Sequence, residues 1–159
     1  MQIHTADLCD QYASEIQVAA PLFIGYGAVP AFGGQIVTVK VFEDNVLVRA
    51  ALTEPGAGQV LVVDGGGSLR CALVGDQLAQ LAQTNGWAGI LVYGCIRDAQ
   101  AIADIAIGIR ALNTHPLKSV KRGEGRRDIP VTFAGITLHP GHYLYADADG
   151  VIVAARQLL

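Results

Sequence analysis

Charge is scarce in this chain of 159 residues: only 16% are Asp, Glu, Lys or Arg, against 52% hydrophobic. That balance is too apolar for a monomer whose whole surface meets water, so part of the surface is expected to be buried between subunits. Long apolar runs are absent. None approaches the roughly 18 residues that cross a bilayer, and Met1-Gln2-Ile3-His4 lacks the basic and apolar regions of a secretion signal. A cytoplasmic protein without a membrane partner is expected. Cysteine is confined to Cys9, Cys71 and Cys95; an odd number at wide spacing builds neither a disulfide framework nor a zinc knuckle. Basic residues are outnumbered by acidic ones, 11 to 14, for a net charge of −3. That argues against direct contact with nucleic acid, which normally rests on a dense basic face. The one basic run, Lys118, Lys121, Arg122, Arg126 and Arg127, is interrupted by Glu124 and Asp128 and reads as a solvated loop.

What remains is a chain long enough to build its own core, read as one domain over residues 1–159. Thr5 is placed to cap a helix from Ala6 to about Glu15. The β-branched run Ile36 to Val41 predicts a strand, residues 45–52 a helix, and the continuous apolar run from Gln59 to Asp64 a strand inside a sheet. Leu78, Leu81 and Ala82 mark the apolar face of a helix beginning near Asp76 and stopped by Asn85-Gly86. A strand over 89–93, a short helix from Asp98 to about Ala103 and a strand from Ile105 to Leu112 complete a βαβ series, so part of the sheet is expected to be parallel. Beyond the polar stretch Thr114 to Asp128, short β segments at 129–133, 136–138, 143–145 and 151–153 are separated by turn pairs and predict antiparallel structure. The fold class is α/β with mixed parallel and antiparallel sheets.

Two segments attract chemistry. Gly65-Gly66-Gly67-Ser68 follows a buried strand, where glycine permits close approach of a ligand or, equally, tight packing of another backbone. It lacks the Lys-Ser/Thr ending of a phosphate loop, and its likeness to a methyltransferase loop is not matched by an acid directly after the next strand. The second segment runs from Gly75-Asp76-Gln77-Leu78 to Arg97-Asp98. If the strand between them is interior, both loops meet at one sheet edge and bring two carboxylates and a guanidinium into one cleft. The structural alternative is that Asp76 and Asp98 are helix N-caps and Arg97 ties down a loop. His115, His139 and His142 have no ligand spacing, and Asp147, Asp149 and Gly150 read as a hairpin turn, not a calcium loop.

Val63-Asp64-Gly65-Gly66-Gly67-Ser68, Gly75-Asp76-Gln77-Leu78, Arg97-Asp98 and Pro140-Gly141-His142-Tyr143-Leu144-Tyr145-Ala146-Asp147, taken in order, resemble the RraA-like family. That family joins a regulator of ribonuclease activity to the class II aldolases of 4-hydroxy-4-methyl-2-oxoglutarate. The resemblance implies a swivelling β/β/α-type fold, a homotrimer and active sites at subunit interfaces. The aldolase branch carries an Asp, twenty residues, then Arg-Asp, a pattern met by Asp76, residues 77–96 and Arg97-Asp98. Its metal-dependent members commonly place an acid three positions further on, where this chain has Ala101.

The resemblance further implies cleavage of a 4-hydroxy-2-oxo acid to pyruvate, with oxaloacetate decarboxylation as a second activity. Asp98 would hold Mg²⁺ or Mn²⁺, largely through water. Arg97 would bind the keto oxygen or carboxylate, the amides of Gln77 and Leu78 beside Gly75 would cradle the carboxylate, and Asp76 would position a proton-accepting water. A catalytically silent ribonuclease-binding protein is the alternative. No lysine falls within the motif to form a Schiff base.

Overall fold

The computed structural model describes residues 2–159. The chain opens with α1 (Thr5–Gln11), β1 (Ile16–Val18) and β2 (Ile24–Gly25), then enters the long strand β3 (Phe32–Lys40). Helix α2 (Val46–Thr53) leads to β4 (Val60–Asp64), β5 (Ala72–Val74) and α3 (Asp76–Thr84) to β6 (Gly89–Ile96), and α4 (Ala99–Ile102) to β7 (Gly108–Thr114). The rest is β structure: β8 (Arg126–Arg127), β9 (Val131–Phe133), β10 (Ile136–Leu138), β11 (Tyr143–Ala146) and β12 (Val151–Ala154).

Strands β3, β4, β6 and β7 lie side by side in parallel, as the βαβ series requires. Strand β3 belongs to two neighbourhoods. Its first residues, Phe32 to Gln35, pair antiparallel with β11, and from Ile36 onward it pairs parallel with β4. Beyond β11 the sheet continues antiparallel through β12 to β1. A second change of neighbour occurs along β6. Strand β4 ends at Asp64, and further along β6 its place is taken by β5, which pairs Ala72 with Cys95 and Val74 with Ile96.

The parallel strands are apolar throughout because both faces are covered. Leu61 and Val63 of β4 join Val48 and Leu52 of α2 and Leu78 and Ala82 of α3 in one core. Val60 and Val62 point the other way, into a core with Phe133 and Leu138 of the β9–β10 hairpin and Leu144 and Val153 of the antiparallel strands. The result is a layer of helices, a mixed sheet and a second β layer.

Several boundaries differ from the sequence reading. Helix α1 ends at Gln11, and His4 occupies its N-cap position without a side-chain cap. Thr5 is instead inside the helix. Its hydroxyl and amide donate to the Asp147 carboxylate at 2.6 and 2.7 Å, a partner 142 residues away that local spacing could not show. Strand β7 begins at Gly108 because Ile105 and Ile107 are used in a turn whose carbonyls accept from Ala28 and Val29. The turn at Asp147 to Gly150 is closed by its own backbone and by the Asp149 amide on Asp147 Oδ1.

Burial acts to raise the pKa of Asp147, but the donors from Thr5, Asp149 and Gly150 outweigh it and hold the carboxyl below its ordinary range. A folded-state pKa below the unfolded value contributes stability at pH above the unfolded pKa, lost as pH falls through the folded one. Asp147→Ala should therefore lower unfolding free energy by about 1.5–3 kcal/mol near neutrality. In urea melts the gap should narrow below about pH 4; a gap unchanged into acid would contradict this role for the carboxylate.

Candidate active site

The change of neighbour from β4 to β5 brings two chain exits together at the carboxyl ends of parallel strands, the usual place for a ligand crevice in such sheets. The Arg97 amide donates to the Val74 carbonyl at 2.9 Å, locking the ends of β5 and β6 in register. One residue later each chain leaves its strand, at Gly75 and at Asp98. Asp98 does so in the left-handed conformation, φ 60° and ψ 39°, which Asp tolerates better than most residues but still at a cost. In that conformation its Oδ2 accepts the Asp76 amide at 3.0 Å.

This resolves the N-cap alternative. Neither acid caps its own helix: Gly75 stands at the N-cap of α3, and Asp98 makes no side-chain cap to α4. The Asp98 carboxylate satisfies the first amide of α3 from across the loop. Gly75 is required by the same contact, because a Cβ there would lie 2.7 Å from Asp98 Oδ2 and 3.5 Å from Arg97 Cγ. Ala79 donates to the Gly75 carbonyl and starts the helix. Among the described residues the amides of Gln77 and Leu78 have no acceptor, and neither the Asp76 carboxylate nor the Arg97 guanidinium has a partner. Free amides at a helix N-terminus favour an anion.

These residues line a cavity of about 220 Å³, below the roughly 300–1,000 Å³ of sites for drug-sized ligands. A small organic acid suits that volume; a nucleotide does not. The structure adds to the walls residues that the sequence reading left out: Asn45 and Arg49 from the start of α2, and Lys118, Ser119 and Lys121. The basic run is thus not simply a solvated loop. Its first part is laid against the sheet, with the Ala72 amide on the Leu117 carbonyl at 2.8 Å and the Val120 amide on the Glu43 carbonyl at 2.9 Å. Isolated bridges pair Ala72 with Lys118 and Asp44 with Val120.

Asp44, 2% exposed, fastens the rest of the loop. Its carboxylate accepts the amides of Val46, Arg122 and Glu124 at 3.0 to 3.1 Å. Burial pushes its pKa up, and these donors together with Gly123 push it further down, so the carboxyl sits below its ordinary range. Asn45 then donates to the Leu73 carbonyl at 3.0 Å and accepts from Lys121 Nζ at 3.1 Å. An acid between an apolar strand and a helix start was the one sequence signal for this arrangement.

Other expectations fall outside the cavity. The amides of Gly65 and Gly67 both donate to the Tyr93 carbonyl, and a Cβ on Gly65 would lie 2.5 Å from Leu73 Cδ1. Protein thus packs against Gly65 and Gly67, while Gly66 lines a separate cavity with Lys40, Phe42 and Arg126. Ala101 is exposed on α4. The rings of His139 and His142 lie 4.6 Å apart, between β10 and β11.

A mixed sheet covered by helices on one face and by β structure on the other, with a small polar cavity at the carboxyl ends of its parallel strands, defines the class as an α/β protein of the β/β/α kind. The chain belongs to the RraA-like family: the Aldolase/RraA model matches residues 5–153. A relative from Alkalilimnicola ehrlichii, named "Putative 4-hydroxy-4-methyl-2-oxoglutarate aldolase", is 58% identical over 159 residues, covering 100% of this chain and 99% of its own. Two solved structures superpose closely. One, from Geobacillus kaustophilus, is described as an S-adenosylmethionine:2-dimethylmenaquinone methyltransferase; it has TM-score 0.97 and 53% identity over 98% of this chain and 97% of its own. The other, the RNA-processing inhibitor RraA from Thermus thermophilis, has TM-score 0.96 and 44% identity over 100% and 96%.

If the Asp98 carboxylate holds the start of α3, amide exchange at Asp76 should quicken roughly tenfold in Asp98→Ala, the loss of one charge-assisted hydrogen bond. Gly75→Ala should do the same by displacing the carboxylate. Exchange at Asp76 unchanged in both variants, followed by NMR, would rule the contact out in solution.

Proposed function

We propose that the chain is a divalent-metal-dependent class II pyruvate aldolase. Its substrates are 4-hydroxy-4-methyl-2-oxoglutarate and related 4-hydroxy-2-oxo acids, and oxaloacetate decarboxylation is a second activity. The observation that carries this reading is the Asp98 carboxylate. One oxygen is fixed by the Asp76 amide and the other is free, beside an unpaired Arg97 and the open amides of α3. The names of the relatives support the aldolase part.

Among the described residues no three His, Cys, Asp or Glu side chains gather into a metal cage. That donor set suits Mg²⁺ or Mn²⁺, which take one or two carboxylates and keep several waters. Asp98 would hold the ion, with Asp76 close by. When bound, it supplies Lewis-acid stabilisation of negative charge at the keto oxygen.

The chain's own groups do the rest. The amides of Gln77 and Leu78 bind the C1 carboxylate and so fix the 2-oxo end. Arg97, always protonated, pairs with the keto oxygen as charge gathers there. Asp76 positions a water that takes the proton of the C4 hydroxyl. The C3–C4 bond then breaks, its electron pair passing to C3 to give pyruvate enolate, while C4 becomes a carbonyl; return of the proton from the water to C3 gives pyruvate. From 4-hydroxy-4-methyl-2-oxoglutarate the second product is also pyruvate. Loss of CO₂ from oxaloacetate leaves the same enolate.

The loops expose Phe42, Leu69, Leu117 and Val120, the last two next in sequence to the cavity-lining Lys118 and Lys121. This apolar surface supports association of the chain with itself as a homotrimer, which a sedimentation mass of three chains would show and a monomer mass would refute. The Thermus relative's name favours a second reading, a partner surface for a ribonuclease. Methyl transfer has less support, because no acid stands directly after the strand that follows the glycine loop.

The experiment is pyruvate release from 4-hydroxy-4-methyl-2-oxoglutarate and from oxaloacetate with Mg²⁺. A chelator should abolish it and Mg²⁺ or Mn²⁺ restore it. Asp98→Ala and Arg97→Ala should each lower kcat by roughly a hundredfold or more with assembly intact. No turnover by the folded protein would leave the ribonuclease reading, and full turnover in Asp98→Ala would remove that residue from the site.

A further inference from the structure

Two histidines whose spacing along the chain suggests no shared ligand meet in the fold. His139-Pro140-Gly141-His142 forms a tight turn, closed by the His142 amide on the His139 carbonyl at 3.1 Å, with Gly141 at φ 86°. Proline second and a positive φ third are what a type II turn requires, and such a turn brings its first and fourth residues together. The two imidazole rings accordingly lie with centroids 4.6 Å apart and planes inclined by 39°.

The turn is held from outside as well. The Gly141 amide donates to the Ile36 carbonyl at 2.9 Å, the Ile36 amide to the His142 carbonyl at 2.8 Å, and the Gln35 side chain to the Gly141 carbonyl at 3.1 Å. Leu138, just before it, is fully buried. The pair is thus carried on a rigid support before any ligand arrives. Among the described residues His115 alone has a ring nitrogen with a protein hydrogen-bond partner. The four nitrogens of His139 and His142 have none, and both rings are half-buried and open on one side. Packing accounts for two neighbouring rings. It does not account for two neighbouring rings that keep every nitrogen free.

We propose that His139 and His142 form a chelating site for a borderline divalent ion, of the class of Zn²⁺, Ni²⁺ and Cu²⁺. Imidazole suits those ions, whereas carboxylate and water suit Mg²⁺ and Mn²⁺, so this pair and the Asp98 locus select different metals. One nitrogen of each ring reaches the ion, at roughly 2.0–2.1 Å for Zn²⁺, after rotation of the rings between their staggered wells. Water fills the other positions, because no third His, Cys, Asp or Glu joins the two among the described residues. The ion is therefore exchangeable. Neither histidine lines the cavity of Arg97 and Asp98, and the site stands whether or not the chain is an aldolase.

Calorimetric titration with Zn²⁺ in saturating Mg²⁺ tests this, at about pH 7.5, where imidazole with its ordinary pKa of roughly 6.5 is neutral. The wild type should bind one ion per chain at this pair. His139→Gln and His142→Gln should each weaken that binding by at least about a hundredfold, more than the loss of a group that merely orients a ligand, while His4→Gln, His115→Gln and Asp98→Ala should change it by less than about twofold. Cu²⁺ added to the wild type should show nitrogen hyperfine splitting from two imidazoles in its electron paramagnetic resonance spectrum, a readout that needs no variant. Copper bound through oxygen alone, no Zn²⁺ binding by the wild type, or binding that survives both His139→Gln and His142→Gln overturns the site.

Discussion

The site is organised by one hydrogen bond, from the Asp76 amide to the Asp98 carboxylate. Asp98 adopts a left-handed backbone whose cost, of order 1–3 kcal/mol, survives only where surrounding structure enforces it. Here the enforcement is visible. The Arg97 amide is tied to Val74, so the chain must turn at Asp98, and the turned carboxylate meets a helix amide that would otherwise lack an acceptor. Gly75 makes the approach possible by having no Cβ. Two strand ends, a helix start and an acid are thereby fixed relative to one another, and the remaining oxygen of Asp98 is held at a defined place.

The second support is Asp44. Its carboxylate gathers amides from Val46, Arg122 and Glu124, which converts a polar loop into a cavity wall. Four segments, residues 44–49, 72–78, 97–98 and 118–121, then face one another across a space of about 220 Å³. The division of labour in the proposed chemistry follows from that geometry. The α3 amides, Arg97 and the two carboxylates share that space with the cations Arg49, Lys118 and Lys121.

How much of this is legible in the sequence divides by the range of the interactions involved. The run Val60 to Asp64 announces a doubly buried strand, and Gly75 to Leu78 with Arg97-Asp98 announces a meeting of loops, because each is a local pattern on one βαβ unit. Thr5 reads wrongly as a cap since its partner, Asp147, is at the other end of the chain. Lys118 and Lys121 read as part of a solvated loop and are exposed; that this loop borders the cavity comes from Ala72, Glu43 and Asp44, and spacing along the chain carries no trace of such contacts. The glycine run points to a ligand or to packing alike; Leu73 and Tyr93 pack against Gly65 and Gly67, and Gly66 lines a separate cavity.

Generation of pyruvate enolate at this locus, with Asp98 indispensable, is the central claim. Exchange of the pyruvate methyl protons with deuterated solvent, followed by proton NMR, reports enolate formation with no need for an aldol substrate. The wild type with Mg²⁺ should catalyse the exchange, and Asp98→Ala should be indistinguishable from the protein-free control. No exchange by the folded wild-type protein, or exchange undiminished in Asp98→Ala, would contradict it.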